Sequence, residues 1–491
     1  NLTIPDWFNL SNSADTPKVE TYTYRRRLYG LYGQIDLAWK EMVYLSVTGR
    51  NDWSSTLPKG NRSFFYPGIT GSWVFSNLFG NDLQKWFDFA KLRLAWGQTG
   101  NDADVYMVDP YFVKATSDAS GWGTVTFPLN GVNSYSRGNI LGSNTLQPEI
   151  TTEFEVGYNV DFFKGRINLD MDYYNRNSNK QIFQLTSDPA TGYTYQNLNL
   201  GKIQNQGVEA LLSIKPIVTS SFDWTTAFSF TKNWSKVVSL PASLGGQSSL
   251  EGVTGEAQLY AITGMALGQF KAEVPERDPA GHIVVNPSTG LPVAASEQAI
   301  VGDMNNKYTL GINTTLRYRD FSLNFVFDIR HGGLMYSRTK SINYFTGNAK
   351  QTTYNDRHTF IVPNSVNKIT DAKGNVTYVE NTTPISQADI DDYFNAGGDK
   401  MGSAWLIPKS FVKLRNVSLS WNLPKAWLER TFLTGVRLTL FGTNLLCWTP
   451  SENSFIDPES TSFGNDLRGN YGEFSANPSS RNFGFNVQVK F

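Results

Sequence analysis

The sequence predicts an all-β protein, a transmembrane antiparallel β-barrel, and three observations predict it. Aromatic residues make up 14% of the 491 residues, yet mean hydropathy is −0.33. Alternating strands produce that combination; a soluble core built from long apolar runs does not. Apolar and polar residues alternate over many short stretches. These stretches are joined by connections that are short and long in turn, the loop pattern of outer-membrane barrels. A β-sandwich does not sort its loops in this way.

The strands follow in order. Ile35, Leu37 and Trp39 oppose Gln34 and Asp36, and after Lys40 and Glu41 the pattern resumes with Val43, Leu45 and Val47. Two alternating runs across so small a turn make a hairpin. Phe154, Val156, Tyr158 and Val160 oppose Glu153, Glu155, Asn159 and Asp161, and Phe321, Leu323, Phe325, Phe327 and Ile329 oppose Ser322, Asn324, Asp328 and Arg330. Thirteen strands are predicted near 26–39, 42–53, 63–75, 91–99, 151–161, 166–175, 205–215, 222–235, 306–317, 321–331, 411–422, 435–444 and 481–491. The run at 411–422 changes phase between Leu414 and Val417, which predicts a β-bulge near Arg415–Asn416. Short connections are expected at 40–41, 76–90, 162–165, 216–221, 318–320 and 423–434. The others, at 54–62, 100–150, 176–204, 236–305, 332–410 and 445–480, are mostly long.

A bilayer explains the two faces. Hydrocarbon tolerates no unpaired backbone, so sheet must close into a barrel. The apolar face then meets lipid and the polar face lines the interior. Trp39, Trp224 and Trp421 stand near strand ends and are expected in a girdle at the headgroup level. The chain ends on Phe491, on the apolar face of a last strand carrying Phe483, Phe485, Val487 and Val489. Lipid would cover that face, and the strand's edge is expected to pair with the first strand of the barrel. With the C-terminus in the periplasm, the long loops are extracellular, residues 1–25 are an extracellular segment and the strand number is odd. Bacterial single-chain barrels have even numbers, so an N-terminal truncation is expected.

Several stretches carry a resemblance in order and spacing: "LYGQIDLAWKEMVYLSVTGRNDWSS", "FFYPGITGSWVFS", "KLRLAWGQTGND", "LQPEITTEFEVGYNVDFFKGRINLDMDYYNRNSNKQI", "FVKLRNVSLSWNLPKAWLER", "FGTNLLCWTP" and "IDPES". Over residues 20–491 the chain resembles the C-terminal part of the barrel of SusC/RagA-like TonB-dependent outer-membrane transporters. One departure is Cys447-Trp448, where the family more often has small polar and aromatic residues. The resemblance implies about 22 strands around a plug, of which this chain holds thirteen and no plug. It further implies active import of an oligosaccharide or peptide, a SusD-like surface lipoprotein as lid, a TonB complex acting through the missing N-terminal part, and a dimer of transporter–lid pairs. Phe491 resembles the terminal aromatic that barrel-assembly machinery reads. No cofactor is implied. The alternatives are a passive porin or surface-binding barrel without a plug, and a soluble glycan-binding β-protein.

Other chemistry finds little support. Formal net charge is zero, so there is no bulk attraction to nucleic acid or to anionic lipid. The lone Cys447 excludes an internal disulfide framework. The three histidines, His282, His331 and His358, lack a nucleophile-elbow context, and no catalytic residue is assigned. The acidic run Asp389, Asp391, Asp392 and Asp399 lacks the glycine and glutamate of a calcium loop; Ser386 and Asp389 instead predict a helix start. The glycine of "PKGNRS" is turn chemistry, and the sequons at Asn313 and Asn416 lie in strands. Glu153, Glu155, Asp170 and Asp172 are expected to face the interior and pair with inward Arg and Lys. Trp122, Tyr135, Tyr344 and Trp405, in the long loops, either stack on sugars or peptide side chains or pack the loops against a partner.

Overall fold

The structure is a computed structural model that describes residues 3–12, 14, 23–78, 80, 86–119, 123–253, 256–462 and 467–491. Trp122 and much of the expected segment 1–25 lie outside the described residues. Thirteen strands pair strictly in sequence order. They are β1 (Leu28–Trp39), β2 (Val43–Ser54), β3 (Ser63–Val74), β4 (Phe87–Asn101) and β5 (Glu149–Phe162). There follow β6 (Ile167–Thr186), β7 (Tyr195–Val218), β8 (Phe222–Ser239) and β9 (Tyr308–Tyr318). The last are β10 (Phe321–His331), β11 (Phe411–Asn422), β12 (Gly435–Trp448) and β13 (Asn482–Lys490). Neighbours are antiparallel throughout, and among the described residues no helix is long and apolar enough to cross a membrane.

Local chemistry sets the turns. Lys40 and Glu41 take φ of 51° and 52°, the left-handed pair that matches a tight hairpin to strand twist. The predicted bulge is present. Val326 pairs with Asn416 and Phe327 with Leu414, so Arg415 has no opposite number on β10. The extra residue restores the apolar face to lipid on both sides of the kink.

One expectation is corrected. The segment near 176–204 is not a long loop: β6 and β7 pair without a break of direction from Ile167↔Ile214 to Thr186↔Tyr195. Beyond the apolar band this hairpin is rich in Asn and Gln on both faces, so no alternation marks it as strand, yet the backbone ladder continues where water meets both sides. Among the described residues β13 pairs only with β12 and β1 only with β2.

The long connections after β8, β10 and β12 fold into a layer of their own at one end of the sheet. One four-stranded sheet takes strands from 247–303, and a second, three-stranded, joins Ile283–Val285 to Ser365–Thr370 and Val376–Glu380. A third joins Leu334–Ser337 to Leu406–Pro408 and Gly472–Glu473. Helix α1 (Arg338–Phe345) and helix α2 (Ile390–Asn395) pack among them. The layer has a true core. Leu259, Phe270, Tyr336, Trp405 and Tyr471 are almost wholly buried in one cluster, Ile283, Val285, Ile385 and Phe394 in another.

Candidate functional site: the inner wall and its loop layer

The polar face of the strands carries charge, and much of that charge is paired. On β4 the Arg93 guanidinium donates to Asp170 at 2.6 Å and to Asp172 at 2.7 Å, both on β6. Those partners lie across β5, at Gly157, which pairs with Arg93 on one side and Asp172 on the other. A Cβ at Gly157 would stand 2.0 Å from the Asp172 carboxylate, so glycine there lets the ion pair close. Arg176 donates to Glu153 at 2.6 Å. Glu155 makes no ion pair among the described residues and borders a cavity of about 540 Å³ with Asp36, Lys91 and Arg93. Three of the four expected inward carboxylates therefore pair as the sequence suggests.

Near the loop layer, β10 and β11 hold a larger cluster. Lys413 is buried and donates to Asp457 and Glu459, each at 2.5 Å. Arg415, the bulge residue, reaches Asp328 on β10 and Glu459, and Arg330 reaches Glu459 at 2.7 Å. Three cations thus gather the "IDPES" segment onto the inner wall. Burial works to raise the Glu459 carboxyl, but hydrogen bonds from Arg415 and Lys413 and the charge of Arg330 outweigh it and hold it down at about 2. Asp457 is lowered likewise, with Lys413 as its chief partner against burial. A cavity of about 400 Å³ lies beside the cluster, lined by Ser229, Asn306, Thr309, Asp328, Arg330 and Arg415 among others.

The end of β4 is tied down in the same manner. Asp102 accepts hydrogen bonds from Arg26, Thr56 and Ser54, so the "RNDWSS" and "GQTGND" stretches meet at one buried carboxylate. Burial would raise that carboxyl, and the three donors hold it below the usual range. Sequence reasoning did not assign Arg93, Asp102, Lys413, Arg415 or Glu459. Each lies in or beside a stretch that carried the resemblance, and that was the available signal.

The sequence-predicted residues fall as follows. Trp39, Trp224 and Trp421 lie on the apolar face at the short-connection end. Trp421 stacks on Phe321 at 5.9 Å and meets Trp427 edge-on at 5.6 Å. The Trp224 indole donates to Thr226 at 2.7 Å, which in turn bonds Thr314 on β9, so a hydroxyl pair on the apolar face is satisfied within the protein. The Phe491 ring lies parallel to Phe432 at 5.8 Å. His331 packs against Tyr308 on the apolar face, while Asp328 points inward to Arg415; strand alternation holds them on opposite sides, and they form no triad. His282 bonds Asp278 in an exposed turn at 2.8 Å. Ser386 and Asp389 meet at 2.7 Å one turn ahead of α2. Among the described residues no group of acidic, His or Cys side chains is arranged to hold a metal. Tyr344 and Trp405 pack edge-to-face at 5.4 Å inside the loop layer, whereas Tyr135 is exposed.

A meandering sheet with an apolar outer face, a charge-paired inner wall and a folded layer on its long connections is an outer-membrane β-barrel. The chain belongs to the family described as TonB dependent receptor-like, beta-barrel, which matches residues 3–445. It is 27% identical to TonB-dependent receptor P26 of Formosa agariphila, over 98% of this chain and 48% of that protein. It is 23% identical to TonB-dependent receptor SusC of Bacteroides thetaiotaomicron, over 89% of this chain and 42% of that protein. Its fold matches a solved structure of the RagAB peptide transporter with TM-score 0.69 and 17% identity, over 99% of this chain and 50% of that one. The chain spans about half the length of the relatives it matches. The family consists of outer-membrane receptors and transporters, which are not enzymes.

Proposed function

We propose that residues 1–491 form the C-terminal part of the barrel of a TonB-dependent importer that carries a bulky nutrient, an oligosaccharide or a peptide, across the bacterial outer membrane. The observation that carries this is the sorting of the connections in a chain of this family: the three long ones after β8, β10 and β12 fold into one packed layer, and Lys413, Arg415 and Arg330 hold its Asp457–Glu459 segment to the inner wall. In this reading the layer faces outward and meets cargo beneath a SusD-like lipoprotein lid. The C-terminus is periplasmic, and a plug and some nine further strands belong to the part of the protein outside this chain. TonB acts on that part, and two transporter–lid pairs associate as a dimer. The chain's own role is to bind, guide and enclose; no covalent step is assigned to it.

The membrane contacts follow from spacing. Trp39 and Tyr29 on β1, Trp224 and Trp234 on β8, Tyr318 and Tyr308 on β9, and Phe321 and His331 on β10 each stand ten residues apart on the apolar face. Ten residues span about 34 Å of strand, and a tilt near 45° reduces that to roughly 24 Å of height, the thickness of the apolar band of such barrels. Trp39, Trp224 and Trp421 are proposed as the periplasmic girdle, and Phe491 as the barrel-assembly signal.

Deleting the gene tests the function: uptake of one oligosaccharide or peptide class should fall, and unchanged uptake of all of them overturns it. Steady ion conductance of the purified natural protein in planar bilayers would instead favour an unplugged porin.

A further inference from the structure

The outward face of β7 and β8 changes character near the loop layer. From the short-connection end β8 presents Phe222, Trp224, Phe228 and Phe230, then Lys232, Trp234 and Lys236. Lys236 pairs with Gln204, and Lys202 follows on the same face of β7, two residues on. Among the described residues none of these three ammonium groups has an ion-pair or hydrogen-bond partner. Lys232 lies 4.8 Å from the centre of the Trp234 ring, which is 47% exposed. No Asp or Glu occupies an outward position on β5 to β10, where the carboxylates alternate inward. Toward the same end β2, β3, β4 and β5 present Trp53, Phe65, Gln98 and Thr152 outward, none of them charged. The cationic patch is therefore local to β7 and β8; on β8 it continues directly from the lipid-facing Phe230, while on β7 Gln206 and Gln204 separate Lys202 from Val208.

We propose that Lys202, Lys232 and Lys236 bind the phosphate groups of an outer-leaflet glycolipid, with Trp234 lying against its sugar. Three points fix the occupant. On β8 the patch is continuous with the apolar band, so its ligand has acyl chains that lie on Phe228, Phe230 and Val208. Each lysine near an anionic membrane surface attracts it, and no carboxylate on this face competes. An exposed indole at the interface presents a flat apolar surface to a sugar ring. The proposal rests on the reading that the long connections face the outside.

The test uses the natural full-length receptor, extracted in mild detergent, stripped of lipid and titrated with bis-phosphorylated lipid A under native mass spectrometry. Saturable binding is expected, weakened at least tenfold in the triple variant K202Q/K232Q/K236Q and retained in K202R/K232R/K236R. Dephosphorylated lipid A should bind the natural protein as weakly as lipid A binds the triple Gln variant, and millimolar inorganic phosphate should not displace lipid A. Unchanged binding by the Gln variant, equal binding of the dephosphorylated lipid, or displacement by inorganic phosphate each overturns the proposal. Orientation is read separately, by labelling intact cells that carry Ala372→Cys in the exposed 371–375 turn on a Cys447→Ser background. Absence of labelling there, with lipid A binding preserved, rejects the outer leaflet as the source.

Discussion

The Lys413 ammonium lies 2.5 Å from both Asp457 and Glu459, and its side chain is only 3% exposed. A cation so buried costs several kcal/mol to desolvate, and two carboxylates offset it. The pair therefore specifies where the 449–481 connection sits. Removing one partner strands the others, at about 3–5 kcal/mol. Lys413→Met should speed amide exchange across 453–462 with little change in β11 itself. Acid acts through the carboxylates. The folded Glu459 carboxyl lies near 2 against an ordinary 4.5, so its contribution is complete above the ordinary value and is lost as pH falls toward 2. Attachment of this connection should be flat from pH 7 to 5 and loosen between 4.5 and 2. A curve of the same shape in Glu459→Gln would refute the assignment.

Lys340 presents the opposite case. It is 7% exposed in α1, and its ammonium lies 5.9 Å from the Tyr344 ring and 5.8 Å from Phe455. Among the described residues no carboxylate pairs with it. Burial, reinforced by repulsion from Lys400 and opposed by Glu452, brings it down to about 8. Between that value and 10.5 the unfolded chain binds the extra proton, so stability of the loop layer rises with pH across that window. The gain is bounded by roughly 3.5 kcal/mol, at about 1.4 kcal/mol per unit. Pulse proteolysis of the layer at pH 7.5, 9 and 10.5 should show the rise. Lys340→Met should be more resistant than the natural protein at pH 7.5 and lack that component of the slope; a slope undiminished in the variant would show that other groups produce it.

The barrel strands were legible because the bilayer enforces alternation residue by residue. Even the bulge at Arg415 was visible, since Val412 and Leu414 fall out of phase with Val417 and Leu419. The upper part of β6 and β7 was not. Asn175, Asn177, Gln204 and Gln206 stand outward above the apolar band, where water on both sides removes the pattern. The loop layer was hidden for another reason. Ser337 and Glu473 meet 136 residues apart, and Tyr471 bonds Ala257 across 214. Short irregular segments acquire burial only from such distant partners, so Tyr344 and Trp405 gave no sign in sequence of packing on each other.

Glu473 shows how closely that layer is built. It is wholly buried, and its carboxylate accepts from the Ser337 hydroxyl at 2.6 Å, the Thr339 hydroxyl at 2.8 Å, the Thr339 amide at 2.9 Å and the Ala476 amide at 3.1 Å. The negative charge also faces the first turn of α1, where the helix dipole favours it. Glu473→Ala leaves buried donors without an acceptor, a loss on the order of 2–4 kcal/mol. Glu473→Gln keeps one oxygen and should lose less. Amide exchange over 338–345 should therefore rank Ala fastest, Gln between, and the natural protein slowest; equal rates in all three would mean that water replaces the carboxylate freely.

The last aromatic can be separated from its packing. Phe491 and Phe432 stack with their planes 2° apart, and both are largely exposed, at 80% and 78%. If the stack mattered for stability alone, removing either ring would have the same effect. If Phe491 is the residue that assembly machinery reads, only its loss should matter. Phe491→Ala is expected to lower the amount of assembled, heat-modifiable barrel in the outer membrane several-fold, while Phe432→Ala leaves it within about twofold, as for most exposed substitutions. Both variants should unfold at the same temperature once assembled. Equal losses from the two would assign Phe491 to packing and leave the assembly signal to the strand that precedes it.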